Sequence, residues 1–187
     1  ASPAAAKAEK VRLNYDESPY GPSGAAREAM RDAIATAGRY PYGHMYALAA
    51  LFARQQGIAE AQVAVFSGSM AALRYAVLAF TGENRGLVMA TPSYEVPRQA
   101  AEASGAPVQE VSLTAEHAHD IPSMLAADPQ AGMLYLCNPN NPTGTLTSTE
   151  AIRHALANKP QGSVLVVDEA YIDFADAPSC VSWVKEH

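Results

Sequence analysis

Short apolar runs alternate with amphipathic segments along most of this chain, a pattern typical of strands followed by helices. The predicted strands are Val63 to Phe66, Leu87 to Ala90, Pro107 to Val111, Met133 to Cys137 and Val164 to Val167. Because these runs are apolar throughout and are joined by helix-length segments, they favour a parallel sheet with helices on both faces. The predicted fold class is therefore α/β, a three-layer αβα domain with a mostly parallel sheet.

Helix signals lie between these strands and before the first one. Ser23 is a good N-cap for a helix that runs to about Thr36, and Gly38 is expected to close it. Further helices are predicted at about Met45 to Gln56, Ala71 to Phe80, Glu95 to Ala103, and from a capping box of Thr147 and Glu150 to about Leu156.

Polar residues follow two of the predicted strands abruptly. Asn138 to Asn141 come directly after one apolar run, and Asp168 to Tyr171 come after another. The carboxyl ends of parallel strands meet at one edge of the sheet, where open α/β sheets bind their ligands. The stretch from Cys137 to Tyr171 is therefore predicted to form a site.

Composition and charge narrow the class of ligand. The net charge of −6, without a cluster of lysines or arginines, argues against nucleic acid, and no apolar run is long enough to span a membrane. Neither the glycine-rich dinucleotide motif nor the phosphate-binding motif of nucleoside triphosphatases is present. The two cysteines suggest neither a disulfide framework nor a metal site, and His117 and His119 are expected to lie on the solvated surface. A small molecule is the expected partner.

Two local features suggest which chemical groups that small molecule contains. The segment Ser67 to Met70 joins a predicted strand to a helix, and free N–H groups at such a junction can bind an anion, although many helices begin with serine and glycine. Tyr94 follows a strand and could lie flat on a planar heterocycle, or merely cap the next helix. Asp168 and Asn141 could likewise be site residues or turn residues.

Several motifs in the same order resemble one enzyme family. The run Asn138-Pro-Asn-Asn-Pro-Thr-Gly144, followed by Asp168-Glu-Ala-Tyr171, is similar to the signature of fold-type-I pyridoxal-phosphate (PLP) aminotransferases. The segment from Asn14 to Ser23 resembles the N-terminus of the histidinol-phosphate aminotransferase branch, with Ser18 in place of an asparagine. The resemblance runs from about residue 11 to the end of the chain.

The resemblance implies a domain organisation. Residues 1–37 would form the N-terminal arm and first helix, as part of the small domain, and residues 38–187 would form the large PLP-binding domain, truncated before the family's Schiff-base lysine. That lysine lies in a Ser-x-Lys motif beyond the Asp-x-x-Tyr strand. The lysines present are Lys7, Lys10, Lys159 and Lys185, and none lies in such a motif. The chain is therefore expected to contribute cofactor contacts without a catalytic base, and to be inactive alone.

The resemblance also implies a role for individual residues. Asp168 would pair with the ring nitrogen of PLP, Asn141 and Tyr171 would contact its phenolic oxygen, and Tyr94 would stack on its ring. Tyr40 would reach the cofactor phosphate of a partner subunit, and Tyr20 would contact the substrate. The phosphate loop would comprise Ser67, Gly68, Ser69 and Met70. Since the family often has an acidic residue where Met70 or Ala71 stands here, Ser69 is the surest of these contacts.

The expected function is that of an aminotransferase of amino-acid biosynthesis, a homodimer that moves an amino group between an amino acid and a 2-oxo acid. Histidinol phosphate and 2-oxoglutarate are the first substrates that the resemblance suggests. The alternatives are a PLP-dependent decarboxylase of the threonine-phosphate type and a non-catalytic fragment that binds PLP or another phosphate. The expected compartment is the cytoplasm, or the periplasm if the alanine-rich start at residues 1–10 remains from a cleaved signal.

Overall fold

The computed structural model describes residues 17–185. The predicted lead-in, Lys7 and Lys10, and the segment from Asn14 to Asp16 lie outside the described residues. The chain divides into two compact units at Gly43.

The first unit contains the helix predicted after Ser23. Helix α1 (Gly24–Ile34) begins where the sequence predicts, because the Ser23 side chain accepts a hydrogen bond from the backbone N–H of Ala26 at 3.2 Å. The helix ends slightly earlier than predicted, with Ala35 at its C-cap. The rings of Tyr40 and Tyr42 stack on each other with centroids 5.6 Å apart.

The second unit contains the sheet and most of the helices. Its elements are α2 (Tyr42–Gln56, which begins at the boundary), α3 (Ser69–Phe80), β1 (Leu87–Thr91), α4 (Val96–Ser104), β2 (Val108–Ser112), α5 (Ile121–Ala127), β3 (Met133–Cys137), α6 (Thr149–Asn158) and β4 (Val164–Asp168). Short 3₁₀ turns lie at Glu60–Gln62, Ile172–Phe174 and Val181–Lys185. The short helix α5 was not predicted.

The four strands form one parallel sheet in the order β2-β1-β3-β4. Met133 at the start of β3 pairs with Leu87 of β1 on one side and with Val164 of β4 on the other. All five residues of β3 are at most 2% exposed, so this strand is covered on both faces. The predicted parallel α/β fold is confirmed.

Alternate side chains of the strands enter two separate cores, as the two-residue period of a strand requires. One core joins Leu87, Met89, Met133 and Tyr135 to Leu73 and Val77 of α3 and to Val96 and Ala101 of α4. The other joins Val88, Ala90, Leu134 and Leu136 to Ile121 and Met124 of α5 and to Ile152 and Ala155 of α6. Helices therefore cover both faces, and the three-layer arrangement is confirmed.

The strand predicted at Val63 to Phe66 is wrong for the described part of the chain. Val63 has extended backbone angles, φ −119° and ψ 125°. An extended segment becomes a strand only when a neighbour pairs with its backbone, and within residues 17–185 the sheet consists of β1 to β4 alone.

Two predictions about polar residues are also wrong. His119 is only 5% exposed rather than solvated, because Ile121 and Met124 of α5 insert into the core and draw the preceding segment inward. Thr147 does not cap α6. The cap is Ser148, whose side chain accepts a hydrogen bond from the N–H of Ala151 at 3.2 Å, while Thr147 is buried beside His119.

The direction of α3 follows from a close approach at its C-terminal end. Gly132, one residue before β3, lies so near Phe80 at the end of α3 that a Cβ atom would overlap the Phe80 carbonyl oxygen. The 12 residues of α3 span about 18 Å, and a five-residue strand spans about 16 Å. With its C-terminus at the amino edge of the sheet, α3 places its N-terminus level with the carboxyl edge.

No helix within residues 17–185 is both long and apolar enough to cross a membrane. The same residues contain no group of three or more histidine, cysteine, aspartate or glutamate side chains arranged to hold a metal ion.

We expect Gly132→Ala to destabilise the complete protein by about 1–3 kcal/mol, because the added methyl group forces α3 away from the start of β3. Urea unfolding of the product of the complete reading frame measures this loss. Gly82→Ala is the matched control, since a Cβ at Gly82 meets nothing within 4 Å. Equal stability of the two variants would contradict this account of the α3 position.

Candidate functional site

The sheet has a topological switch point between β1 and β3. The chain leaves β1 through α4 on one face of the sheet and leaves β3 through α6 on the other face. Connections that diverge in this way open a crevice at the carboxyl edge, where open α/β sheets bind their ligands. The loops after β1, β3 and β4 all begin at this edge.

Asn140 joins the loop after β3 to the loop after β1. Its side chain amide donates to the carbonyl oxygen of Pro92 at 3.1 Å, and its Oδ1 accepts from the hydroxyl of Ser93 at 2.7 Å. A further bond runs from Nδ2 to Thr143 Oγ1 at 2.8 Å. Because Asn140 is 2% exposed, these partners satisfy an amide that would be costly to bury alone. Asn140 was not singled out from the sequence, although it lies inside the motif from Asn138 to Gly144.

Asp168 is the last residue of β4 and lies beside Cys137, its register partner on β3. Its Oδ2 accepts a hydrogen bond from the Tyr135 hydroxyl at 2.9 Å, and its Oδ1 accepts one from the N–H of Ala170 at 3.1 Å. Asp168 is half-buried. The structure thus places a carboxylate at the carboxyl edge with both oxygens already oriented.

Tyr135 was missed by the sequence analysis. It lies two residues before the end of β3 and is fully buried, and a buried phenol requires a hydrogen-bond partner. In a parallel pair, the residue that ends the next strand is within reach on the same face, so Asp168 is a partner that the sequence indicates only once β4 is known to pair with β3. Burial raises the pKa of Tyr135, with smaller contributions from Cys137 and Asp168, and the phenol remains a donor.

Tyr94 lies in the loop after β1, close to the Asp168 carboxylate. Burial raises the pKa of the Tyr94 phenol, and the charge of Asp168 is the next largest cause, while Arg74 of α3 acts in the opposite direction. Glu95, not Tyr94, occupies the N-cap position of α4. The alternative that Tyr94 merely caps the helix is therefore not supported.

The Cys137 thiol marks where these loops converge. Burial raises the pKa of Cys137, and backbone hydrogen bonds from Asn141 and Tyr94 partly oppose that effect. The backbone of Asn141 and that of Tyr94 therefore lie next to the same thiol, which is itself the neighbour of Asp168 on the sheet. Tyr94, Asn141 and Asp168 thus all lie near the Cys137 thiol, and their roles toward a cofactor stay predictions.

The N-terminus of α3 presents backbone hydrogen-bond donors that its own helix does not use. Gly68 is the N-cap, with φ +87°, a conformation that favours glycine, and it has no side chain to cap the helix. The first N–H groups, those of Ser69, Met70 and Ala71, have no partner within the helix. Ser67 to Met70 are all exposed at this end. This is the geometry of an anion site at the carboxyl edge.

Glu169 holds the loop that follows Asp168. Its two carboxylate oxygens accept hydrogen bonds from the Ser179 hydroxyl and from the N–H of Cys180, the latter at 2.6 Å. Tyr171 is half-buried within this loop and directly precedes the 3₁₀ turn Ile172–Phe174. Glu169 thereby fixes both ends of the segment that carries Tyr171.

The remaining predicted contacts are not tested by this arrangement. Tyr20 and Tyr40 belong to the first unit and are 89% and 85% exposed. Of the two described lysines, Lys159 donates to the carbonyl oxygen of Ser163, just before β4 begins, and so lies at the amino edge of the sheet. Lys185 lies beside Gly57.

The groups at the carboxyl edge fit PLP in three respects. A carboxylate at Asp168 suits a protonated ring nitrogen, the aromatic ring of Tyr94 suits a planar heterocycle, and the bare N-terminus of α3 suits a phosphate. Tyr94 packs against the core that contains Leu73 and Val77 of α3, and therefore Tyr94 and α3 lie on the same face of the sheet.

Comparisons with known proteins agree with this geometry. The family model "Aminotransferase class I and II" matches residues 8–187. The histidinol-phosphate aminotransferase of Bacillus subtilis is 33% identical over 168 residues, which are 89% of this chain and 47% of that protein. An aromatic amino acid aminotransferase of Rhodococcus jostii is also 33% identical, over 88% of this chain and 46% of its own length.

A solved structure shows the same fold. The histidinol-phosphate aminotransferase of Sinorhizobium meliloti, crystallised in complex with PLP, superposes with a TM-score of 0.79 at 26% identity, over 85% of this chain and 44% of that one. This chain spans about half the length of the curated relatives that it matches.

His119 is connected to the loop after β3 through Thr147. Its Nδ1 lies 2.7 Å from Thr147 Oγ1, and the N–H of Thr147 donates to Asn138 Oδ1 at 2.8 Å. Burial lowers the pKa of His119 from 6.5 to about 4, so the ring is neutral in the folded protein. Between pH 6.5 and pH 4, His119 binds a proton in the unfolded chain but stays neutral in the folded protein. The free energy of unfolding therefore falls as the pH drops from 6.5 toward 4.

We expect the titration of His119 to lower the free energy of unfolding by about 2 kcal/mol when the pH falls from 7 to 5. His119→Asn should abolish this loss, because no titrating group remains at that position. Urea unfolding of the complete protein at both pH values measures the two slopes. His117→Asn is the control, since His117 is exposed and its φ of +61° suits asparagine. Parallel loss in wild type and His119→Asn would refute this assignment.

Proposed function

This chain belongs to the class I and II aminotransferase family, whose cofactor is PLP, and we propose that it forms the cofactor-binding part of a PLP-dependent aminotransferase. The observation that carries the proposal is the position of Asp168. The oriented carboxylate of Asp168 lies at the carboxyl edge of the sheet, where the switch point is. It lies near Tyr94, on the face of the sheet that α3 covers.

Each candidate residue has a proposed task. Asp168 holds the proton on the ring nitrogen, since a nearby carboxylate raises the pKa of that nitrogen. Asn141 and Tyr171 would donate hydrogen bonds to the phenolic oxygen, and Tyr94 would cover the ring and exclude water from it. The N–H groups at Ser69 and Met70 take the phosphate, with Gly68 giving the backbone its required turn. PLP, when bound, supplies the electron sink for chemistry at the α-carbon of an amino acid.

The proposed reaction moves an amino group between an amino acid and a 2-oxo acid in amino-acid biosynthesis. The first proposed amino donor is histidinol phosphate, as the name of the Bacillus subtilis relative suggests. An aromatic amino acid is the second, because the Rhodococcus jostii relative has the same identity to this chain. Both donors present an aromatic or heteroaromatic ring, and an assay with each of them separates these two candidates.

The catalytic base is proposed to lie outside these 187 residues. Lys159 is engaged with the Ser163 carbonyl oxygen at the opposite edge of the sheet. A base at the carboxyl edge, next to Asn141 and Tyr171, would accept the α-proton of the amino acid. On this proposal the chain alone contributes cofactor contacts but no turnover.

We expect Asp168→Asn to weaken PLP binding by about 10- to 150-fold, because a charged hydrogen bond contributes about 1.5–3 kcal/mol. Absorbance titration with PLP, run on the product of the complete reading frame and on the variant, measures this loss. Amino donors should change the visible spectrum of the wild-type protein, and the variant should lose that response. Asp173→Asn is the control, as this exposed carboxylate lies in the following turn.

Other outcomes select other functions. If the complete protein binds no PLP, the family cofactor does not occupy this site. Release of carbon dioxide from an amino acid, without formation of a new amino acid from a 2-oxo acid, would instead indicate a decarboxylase. Binding of PLP without any response to amino donors would indicate a non-catalytic binding protein.

We further propose a homodimer in which Tyr40 completes the partner's site, because its 85% exposed ring is available for such a contact. Mixing inactive Tyr40→Ala and Asp168→Asn subunits should then restore activity, as each mixed dimer contains one site with both wild-type residues. Transaminase assays before and after subunit exchange measure the recovery, expected near a quarter of wild type for random pairing. Absence of recovery, with mixed dimers present, would mean that Tyr40 acts within its own subunit.

A further inference from the structure

We propose that Tyr135 is a positioning residue for the cofactor: its hydroxyl fixes the plane of the Asp168 carboxylate and so sets how well that carboxylate meets the cofactor's ring nitrogen. The inference rests on the proposed function, since it presumes that Asp168 pairs with that nitrogen. On this proposal Tyr135 acts through Asp168 and contacts neither the ring nor the phosphate of the cofactor.

The hydrogen bonds to Asp168 come from two different parts of the fold. Tyr135 Oη donates to Oδ2 at 2.9 Å from the neighbouring strand, and the N–H of Ala170 donates to Oδ1 at 3.1 Å from the chain beyond. One bond alone would leave the carboxylate free to turn about it. Two bonds on different oxygens define its plane, and each oxygen retains a lone pair for a further donor.

The Tyr135 hydroxyl is itself held rigidly. Tyr135 is fully buried in β3, the strand covered on both faces, and its ring packs in the core between the sheet and helices α3 and α4. Its register neighbour on β4 is Val166, two residues before Asp168 on the same face. The position of the hydroxyl therefore follows from the β3–β4 pairing and does not depend on a flexible loop.

The hydroxyl can act only as a donor toward Asp168. Burial raises the pKa of Tyr135, so the phenol keeps its proton wherever the carboxylate is ionised. A phenylalanine would fill nearly the same space and pack equally well, but it would leave Oδ2 without this partner. The hydroxyl is thus separable from the packing role of the ring, and this separation makes the proposal testable.

The test is a double-mutant cycle in the complete protein, with PLP affinity as the readout. We expect Tyr135→Phe to weaken PLP binding about fivefold in the wild-type background, the usual effect of one hydrogen bond. In the Asp168→Asn background the same change should alter affinity less than twofold, because the carboxylate that Tyr135 orients is gone. The absorption maximum of bound PLP should also shift in Tyr135→Phe.

Met133→Leu is the matched control, because Met133 is fully buried on the same strand and enters the same core. This nearly volume-conserving change should affect urea unfolding about as much as Tyr135→Phe, yet leave PLP affinity and the absorption maximum at wild-type values. If Tyr135→Phe matches this control, or weakens binding equally in both backgrounds, the positioning role is refuted. If the wild-type protein binds no PLP, the proposed function fails instead, which is a distinguishable result.

Discussion

The register between β3 and its two neighbours is the constraint on which the rest of the structure depends. β3 is buried on both faces, and a shift of one residue would send its whole set of side chains to the opposite core. The same register places Cys137 beside Asp168 and brings Tyr135 within 2.9 Å of its carboxylate. Packing of the two cores therefore also determines the geometry at the carboxyl edge.

Side-chain hydrogen bonds tie together the loops that leave this edge. Asn140 ties the loop after β3 to Pro92 and Ser93, and Glu169 ties the loop after β4 to Cys180. The Asn140 amide pairs with the Pro92 carbonyl, and the Glu169 carboxylate pairs with the Cys180 N–H. Both are backbone groups that no helix or strand pairs. The loops thereby hold Tyr94, Asn141 and Tyr171 at the carboxyl edge, where we propose that they contact the cofactor.

The sequence was sufficient for the features that repeat along the chain and insufficient for those that depend on contacts between distant segments. The apolar runs predicted β1 to β4, the helix signals predicted every helix except α5, and the polar strand ends predicted the edge at Asp168. The strand at Val63 to Phe66 was wrong because pairing, not composition, makes a strand. His119 was assigned to the surface because charged residues surround it in the sequence, and because α5, the seven-residue helix that draws it inward, was not predicted.

The same distinction explains why Tyr135 was overlooked although Asp168 was not. A polar residue at the end of an apolar strand is conspicuous, whereas a tyrosine inside one resembles ordinary core. Only the strand order, with β4 next to β3, shows that the phenol has a carboxylate within reach. A buried tyrosine two residues before a strand end, followed by an acidic residue at the end of the next strand, can therefore be searched for once a parallel neighbour is established. The rule follows from parallel register and from the need of a buried hydroxyl for a partner, and it is independent of the ligand bound above the pair.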